Sequence, residues 1–152
     1  MRHFLAGLLG LSLALTPMLV WAHCEIPCGI YGDEARFAAM LEDVQTIEKS
    51  MNEINKLSVE GKVDYNQIVR WVNNKEQHAD HIREVVAQYF LAQRIKEPAA
   101  GDAAASKAYT EKLVVLHQII RTAMKCKQTS DPVNAQTLHD FVHAFQALYN
   151  AK

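Results

Sequence analysis

The chain has 152 residues, of which 49% are hydrophobic and 22% are charged, and its formal net charge is −1 at pH 7. This length suits one domain with a hydrophobic core, and the near-neutral charge gives no reason to expect nucleic acid or an anionic membrane as a partner. The chain contains 3 cysteines, so at least one stays unpaired within a monomer.

The first segment has the charged, apolar and small-residue order of a secretory signal peptide. Arg2 precedes an apolar run from Phe4 to Val20, and small residues flank Trp21 as they do at a cleavage site. A transmembrane anchor is the alternative, but the run is short for the roughly 20 residues that a membrane span needs. We therefore expect residues 1–22 to be removed, and the mature protein to be exported to the periplasm or the extracellular space without stable membrane association.

Residues 23–32 form an irregular segment, here called the hook, that concentrates metal-binding groups. Cleavage before His23 frees an α-amine, a group whose reference pKa is near ~8 and which can therefore lose its proton and bind a metal. The His23 amine, the amide nitrogen and thiolate of Cys24, and the thiolate of Cys28 make two nitrogen and two sulfur donors, with the His23 imidazole as a candidate axial ligand. Such planar coordination favours Ni(II) or Cu(II) over zinc. The alternative is a Cys24–Cys28 disulfide, with Cys126 buried as a small apolar residue.

Residues 33–152 carry four amphipathic stretches with apolar residues three and four apart, which predicts an all-α fold, an antiparallel four-helix bundle. The first helix is predicted from its cap Asp33 to Gly61, and the second from its cap Asp64 to about Lys96. The third helix is predicted from about Ser106, and the fourth from near Pro132. The predicted core positions are Phe37, Met40, Leu41, Val44, Ile47, Met51, Ile54 and Leu57; Ile68, Val69, Val72, Ile82, Val85, Val86, Tyr89 and Phe90; Tyr109, Leu113, Leu116, Ile120 and Met124; and Leu138, Phe141, Val142, Phe145, Leu148 and Tyr149.

The hook resembles that of the nickel superoxide dismutases, whose mature chains begin His-Cys-x-x-Pro-Cys-Gly, followed by an aliphatic residue and Tyr. The residues that match this pattern are His23, Cys24, Pro27, Cys28, Gly29, Ile30 and Tyr31. The resemblance implies disproportionation of superoxide to oxygen and hydrogen peroxide by Ni(III)/Ni(II) cycling, with one nickel ion per subunit. It implies that His23, Cys24 and Cys28 bind the nickel, and that Tyr31, together with Tyr89, acts beside its open face. It also implies a homohexamer.

The chain departs from the family pattern around the axial imidazole. Glu25 replaces the usual Asp, and the family's supporting Glu and Arg correspond here to Ala38 or Ala39 and to His78. Partners of this kind orient a ligating imidazole and tune the metal. By helical spacing, Glu42 and His78 itself are the candidates to replace them.

Two other classes of function compete with the enzyme. An exported nickel or copper chaperone or sensor would use the same terminus without turnover, and an interaction bundle with a Cys24–Cys28 disulfide would bind no metal. The pairs His78/His81 and His139/His143 each lie on one helix face and are further candidate metal sites. The lysines Lys56, Lys62 and Lys75 are candidates for a positive rim that attracts the substrate anion.

Overall fold

The computed structural model describes residues 24–59 and 63–151, and within these ranges it is entirely helical. Helix α1 spans Glu34–Leu57 and α2 spans Tyr65–Glu84, which continues directly into a π-helical segment, π1, at Val85–Arg94. Helix α3 spans Ala103–Gln128 and α4 spans Val133–Asn150. The predicted all-α four-helix bundle is confirmed, whereas the predicted signal peptide and His23 lie outside the described residues.

The four helices enclose one hydrophobic core. Helix α1 packs against α2 and α4, and α3 packs against α4 and α2. At the end of the bundle next to the hook, the core becomes aromatic: the ring centroids of Phe37, Phe90, Phe145 and Tyr149 lie 4.8–5.7 Å apart. Tilted and edge-to-face rings at such distances pack well and resist rearrangement, so the hook lies over a well-packed part of the core.

Two predicted helix boundaries and part of the predicted core are corrected. Helix α1 ends at Leu57 rather than Gly61, because the backbone amide and the hydroxyl of Ser58 both donate to the carbonyl of Ile54. Helix α3 begins at Ala103 rather than Ser106, because the Asp102 side chain accepts a hydrogen bond from the backbone of Ala105. Val69 is 58% exposed, and the buried positions of α3 are Leu116, Ile119, Thr122, Ala123 and Cys126.

Other local predictions hold. The Asp64 side chain accepts a hydrogen bond from the backbone of Gln67 and so caps α2 as expected. Cys126 is fully buried in the core, and burial raises the pKa of its thiol to about 11. Among the helices that the structure describes, none is both long and apolar enough to cross a membrane.

Candidate metal centre

The described part of the hook is a tight turn that brings its two cysteines together. The backbone amide of Ile30 donates to the carbonyl of Pro27 at 2.8 Å. Cys28 has φ 45° and Gly29 has φ 74°, and a left-handed backbone is uncommon at a residue other than glycine. The Cys24 and Cys28 thiols are free, and interaction with the Cys24 side chain is the main reason that the pKa of Cys28 is raised. The hook therefore places two thiols beside each other.

Gln93, near the end of π1, binds the backbone of the hook. Its Oε1 accepts from the Glu25 amide at 3.0 Å, and its Nε2 donates to the Glu25 carbonyl at 3.1 Å. These two bonds imitate the pairing of neighbouring β-strands, in which two residues exchange N–H and C=O bonds. Gln93 thereby holds both peptide groups that flank Glu25.

Arg36, in the first turns of α1, holds the next part of the hook. Its Nη2 donates to the Glu25 carboxylate at 2.5 Å and to the Ile26 carbonyl at 2.6 Å. The guanidinium also lies over the ring of Tyr89, with 4.8 Å between its carbon and the ring centroid. A planar group with several donors can make these contacts together, so Arg36 joins the hook to α1 and π1.

Asp33 lies beneath the hook and was expected to cap α1 with its side chain. That expectation is wrong: Asp33 is at the cap position, but its side chain makes no capping bond. Instead its carboxylate accepts hydrogen bonds from the hydroxyls of Tyr89 and Tyr149 and from Arg94, whose Nε and Nη2 lie 2.9 and 2.8 Å from Oδ2. These donors come from π1 and α4, and they compete successfully with the backbone amides of α1.

This network shifts the protonation equilibria of its members. Burial alone would raise the pKa of Asp33, but hydrogen bonds from Tyr149, Tyr89 and Arg94 hold it below its ordinary value. Burial and the neighbouring carboxylate raise the pKa of Tyr89, and they raise that of Tyr149 to about 12. Asp33 is therefore an anion and both tyrosines are neutral donors at neutral pH.

Gly29 is the point where the hook approaches this network most closely. A Cβ atom added there would lie 2.6 Å from Nη2 of Arg94. Because Arg94 is held by Asp33, its guanidinium has little freedom to move aside. Gly29 is thus required both by its positive φ and by the close contact.

The two tyrosines assigned to the open face occupy different environments. Tyr31 is 81% exposed at the end of the hook, whereas Tyr89 is fully buried with its hydroxyl on Asp33. The structure does not place these two side chains in one environment. His23, the predicted metal ligand, is not among the described residues, so the roles of both tyrosines relative to the metal stay predictions.

The comparison with protein families gives the decisive observation. Residues 18–152 match the family model of the nickel-containing superoxide dismutases. The chain belongs to this family. No curated protein and no solved structure matches it. The expected activity, the conversion of superoxide by a nickel-dependent oxidoreductase, is therefore confirmed at the level of the family, and nothing favours a metal chaperone.

This nickel superoxide dismutase has a further acid–base cluster beside the hook. The buried carboxylate of Asp43 binds Nδ1 of His78 through one oxygen and Nδ1 of His81 through the other, each at 2.6 Å. His81, rather than His78, lines a cavity of about 150 Å³ together with Glu25, Arg36, Glu84 and Val85. The proposed replacement of the family's supporting pair by His78 or Glu42 stays a prediction, but His81 is the member of this cluster that shares a cavity with the hook residue Glu25.

The other candidate metal sites receive no support from the described residues, and the predicted lysine rim loses Lys75, whereas Lys62 lies outside the described residues. Within residues 24–59 and 63–151, no group of three or more His, Cys, Asp or Glu side chains is suited to hold a metal ion. The rings of His139 and His143 meet edge to face with 4.5 Å between their centroids, and Asp43 is hydrogen-bonded to His78 and His81 in a group that is not suited to hold a metal ion. Lys75 is 3% exposed and bonds to the end of α3, so it does not form part of a positive rim.

Sequence reasoning found the cysteines but missed the residues that hold them. Gln93, Arg36 and Arg94 belong to no motif, and they lie 10 to 68 positions from the hook residues that they contact. The one local signal was Asp33, which has the residue type of a helix cap and was interpreted as one. A single sequence contains no sign that this carboxylate is turned toward π1 and α4.

Proposed function

We propose that this superoxide dismutase is processed between Ala22 and His23 and that the new terminus binds its nickel ion. The proposed ligands are the amine and imidazole of His23, the amide nitrogen and thiolate of Cys24, and the thiolate of Cys28. The observation that carries the proposal is the pair of free, adjacent thiols in a hook that the bundle holds in place. The residues described here fit nickel through their donor chemistry, since two thiolates and an amide nitrogen suit a planar d⁸ ion.

Nickel bound in this way supplies a one-electron redox centre that alternates between Ni(II) and Ni(III). The residues of the chain have other tasks. Gln93 and Arg36 hold the backbone that carries the thiols, and the Asp33 network holds Gly29 from below. Conversion of two superoxide ions to oxygen and hydrogen peroxide consumes two protons, so the site also needs access to water, and the exposure of Cys24 supports such access.

The two tyrosines have separate proposed roles. Tyr31, which is exposed and attached to the hook, is proposed to order water and to exclude larger anions at the open face of the metal. Tyr89 is proposed to act on that face indirectly, through its hydroxyl on Asp33 and its contact with the Gly29 amide. By this proposal Tyr31 is a catalytic residue and Tyr89 is a positioning residue.

Terminal-amine ligation is tested by moving the amine. Two mature forms are compared, one beginning at His23 and one with a single alanine before it, and N-terminal sequencing verifies each start. The first is expected to bind one nickel ion per chain and to consume superoxide. The second is expected to lose activity with unchanged helix content by circular dichroism, because its amine is displaced by one residue. A form with one alanine added after Lys152 serves as the control. Full activity of the N-terminally extended form would refute terminal-amine ligation.

Export and assembly are proposed on separate grounds. The apolar segment before His23 supports removal of residues 1–22 as a signal peptide and a periplasmic or extracellular location. Ile26, Ile30 and Tyr31 are 65%, 73% and 81% exposed, and a group of exposed apolar side chains is typical of an interface. This patch and the family resemblance support a homohexamer, which light scattering of the purified mature protein would test.

A further inference from the structure

The two hydrogen bonds of Gln93 fix the conformation of the hook at a point next to a proposed metal ligand. A peptide group is planar, so a bond to the Glu25 amide also fixes the direction of the Cys24 carbonyl and the position of the Cys24 Cα. The second bond fixes the peptide group after Glu25. The conformation of Glu25 is therefore held from both sides, and the base of the Cys24 side chain is held with it.

No other contact replaces Gln93. Arg36 binds the carboxylate of Glu25 and the carbonyl of Ile26, and Arg94 packs against Gly29. Among the described residues, Gln93 makes the only hydrogen bonds to the backbone of Cys24 and Glu25. The backbone of Cys24 and Glu25 is thus held by the side chain of Gln93, while Arg36 holds the Glu25 carboxylate and the next carbonyl.

The π-helical segment explains how Gln93 and its neighbour reach the hook together. In an α-helix each residue advances by about 100°, so a residue five positions on faces about 140° away. In a π-helix the hydrogen bonds join residues five apart, and these residues stack on one side. Tyr89 and Arg94 are five apart, with Gln93 between them. Tyr89 and Gln93 are four apart and would share a face of an α-helix as well, but the wider turn also brings Arg94 to the side of Tyr89, which an α-helix would not do.

We propose that Gln93 is a positioning residue of the nickel site: it holds the Cys24–Glu25 peptide, and with it the Cα that carries the proposed thiolate ligand of Cys24, in place before nickel binds. This inference rests on the proposed function. It predicts that Gln93 affects how tightly nickel is bound, and that the clamp exists in the metal-free protein. Nickel then enters a preformed site and does not have to order this peptide itself.

The test compares Gln93→Ala and Gln93→Glu with the wild-type mature protein. Gln88→Ala is the matched control, because Gln88 is an exposed glutamine of π1 with no hydrogen bond to the described residues. The alanine variant is expected to weaken nickel binding about tenfold in a chelator competition, the loss expected from two solvent-accessible hydrogen bonds. The glutamate variant can still accept from the Glu25 amide but cannot donate to its carbonyl, so it is also expected to bind nickel less tightly.

A second measurement needs no metal. Hydrogen exchange of the Glu25 amide, followed by NMR in the nickel-free protein, is expected to accelerate about tenfold in Gln93→Ala and less in Gln93→Glu. The proposal would be overturned if Gln93→Ala matched wild type in its nickel affinity, in its nickel–thiolate absorption bands and in the exchange rate of the Glu25 amide. A wild-type mature protein that binds no nickel would instead refute the proposed function and the clamp with it. An equal effect of Gln88→Ala would show that the change acts through π1 as a whole and would also overturn the proposal.

Discussion

Replacing Asp33 by asparagine tests whether the carboxylate beneath the hook organises this end of the bundle. The substitution keeps the size of the side chain but removes its charge. Asparagine offers one oxygen to three donor side chains, and its NH₂ group faces the Arg94 guanidinium or a tyrosine hydroxyl, which are themselves donors. At least one buried donor from Tyr89, Tyr149 or Arg94 is then left without an acceptor.

The expected loss of stability is about 3 kcal/mol. A hydrogen bond to a charged group contributes about 1.5–3 kcal/mol, and an unpaired buried donor costs about 1–3 kcal/mol. The Arg94 side chain is 24% exposed, so water offsets part of the loss at that donor. This loss is a large fraction of the total free energy of unfolding, which is typically about 5–15 kcal/mol. With an m-value near ~2 kcal/mol/M, the urea midpoint falls by about 1.5 M.

The difference in the free energy of unfolding between wild type and Asp33→Asn also depends on pH. The pKa of Asp33 is lower in the folded protein than its ordinary value near ~3.9. The stabilisation from its ionised form is therefore complete above the unfolded-state pKa and is lost as the pH falls through the folded-state pKa. In urea unfolding of the two mature proteins without added nickel, the wild-type advantage in the free energy of unfolding is expected to be constant above about pH 5 and to decrease below about pH 4.

Asp102→Asn is the control for this substitution, because Asp102 is an exposed helix cap and asparagine caps equally well. It is expected to change the free energy of unfolding by less than about 0.5 kcal/mol. If the free energy of unfolding of Asp33→Asn at pH 7 lies within about 0.5 kcal/mol of the wild-type value, the network around Asp33 does not stabilise the fold. A large loss that stays constant down to about pH 3 would likewise refute the role of the charge.

Two further predictions concern the hook and the far end of α3. Gly29→Ala is expected to weaken nickel binding at least tenfold in a chelator competition. The control is Gly101→Ala, which has φ 91° and nothing within 4 Å of the new Cβ, so it carries a similar backbone strain and is expected to leave nickel affinity unchanged. If the two variants bind nickel equally tightly, the argument from the contact between Gly29 and Arg94 is refuted. Lys75→Met leaves the last carbonyls of α3 without their donor, so it is expected to lower the free energy of unfolding, measured in urea, by about 2–4 kcal/mol. The control is the exposed Lys56→Met, for which the expected loss is less than about 0.5 kcal/mol. Similar losses in the two variants would show that Lys75 does not cap α3.

The helices could be predicted from the sequence because their signals are local. Apolar residues three and four apart fall on one face of a helix wherever that helix packs. Helix α3 shows the limit of this argument, because its apolar stripe is wide and the predicted face was centred on the wrong part of it. Ile119 and Ala123 are fully buried, whereas the predicted core positions Leu113, Ile120 and Met124 are only half-buried. Which part of a wide stripe is buried depends on the neighbouring helices, and periodicity does not contain that information.

The sequence suggests the metal-binding residues of the hook, but it does not reveal the side chains that hold the hook in place. The proposed donor residues were chosen from their type, their spacing and their position next to a predicted cleavage site. Their partners are recognisable only in three dimensions, because a glutamine or an arginine on a helix is ordinarily a solvated residue. The π-helical turn was also missed, since Val85–Arg94 has the same apolar pattern that an ordinary α-helix would have.

The proposed metal site depends on the bundle for its order. A segment of about ten residues cannot bury enough apolar surface to offset the entropy of fixing its own backbone. The hook is instead fixed by side chains from α1 and π1, and the network beneath it extends to Tyr149 on α4. These side chains are in turn fixed by the aromatic core around Phe37 and Phe90. Substitutions in that core are therefore expected to alter nickel affinity as well as stability, although no core side chain is a ligand.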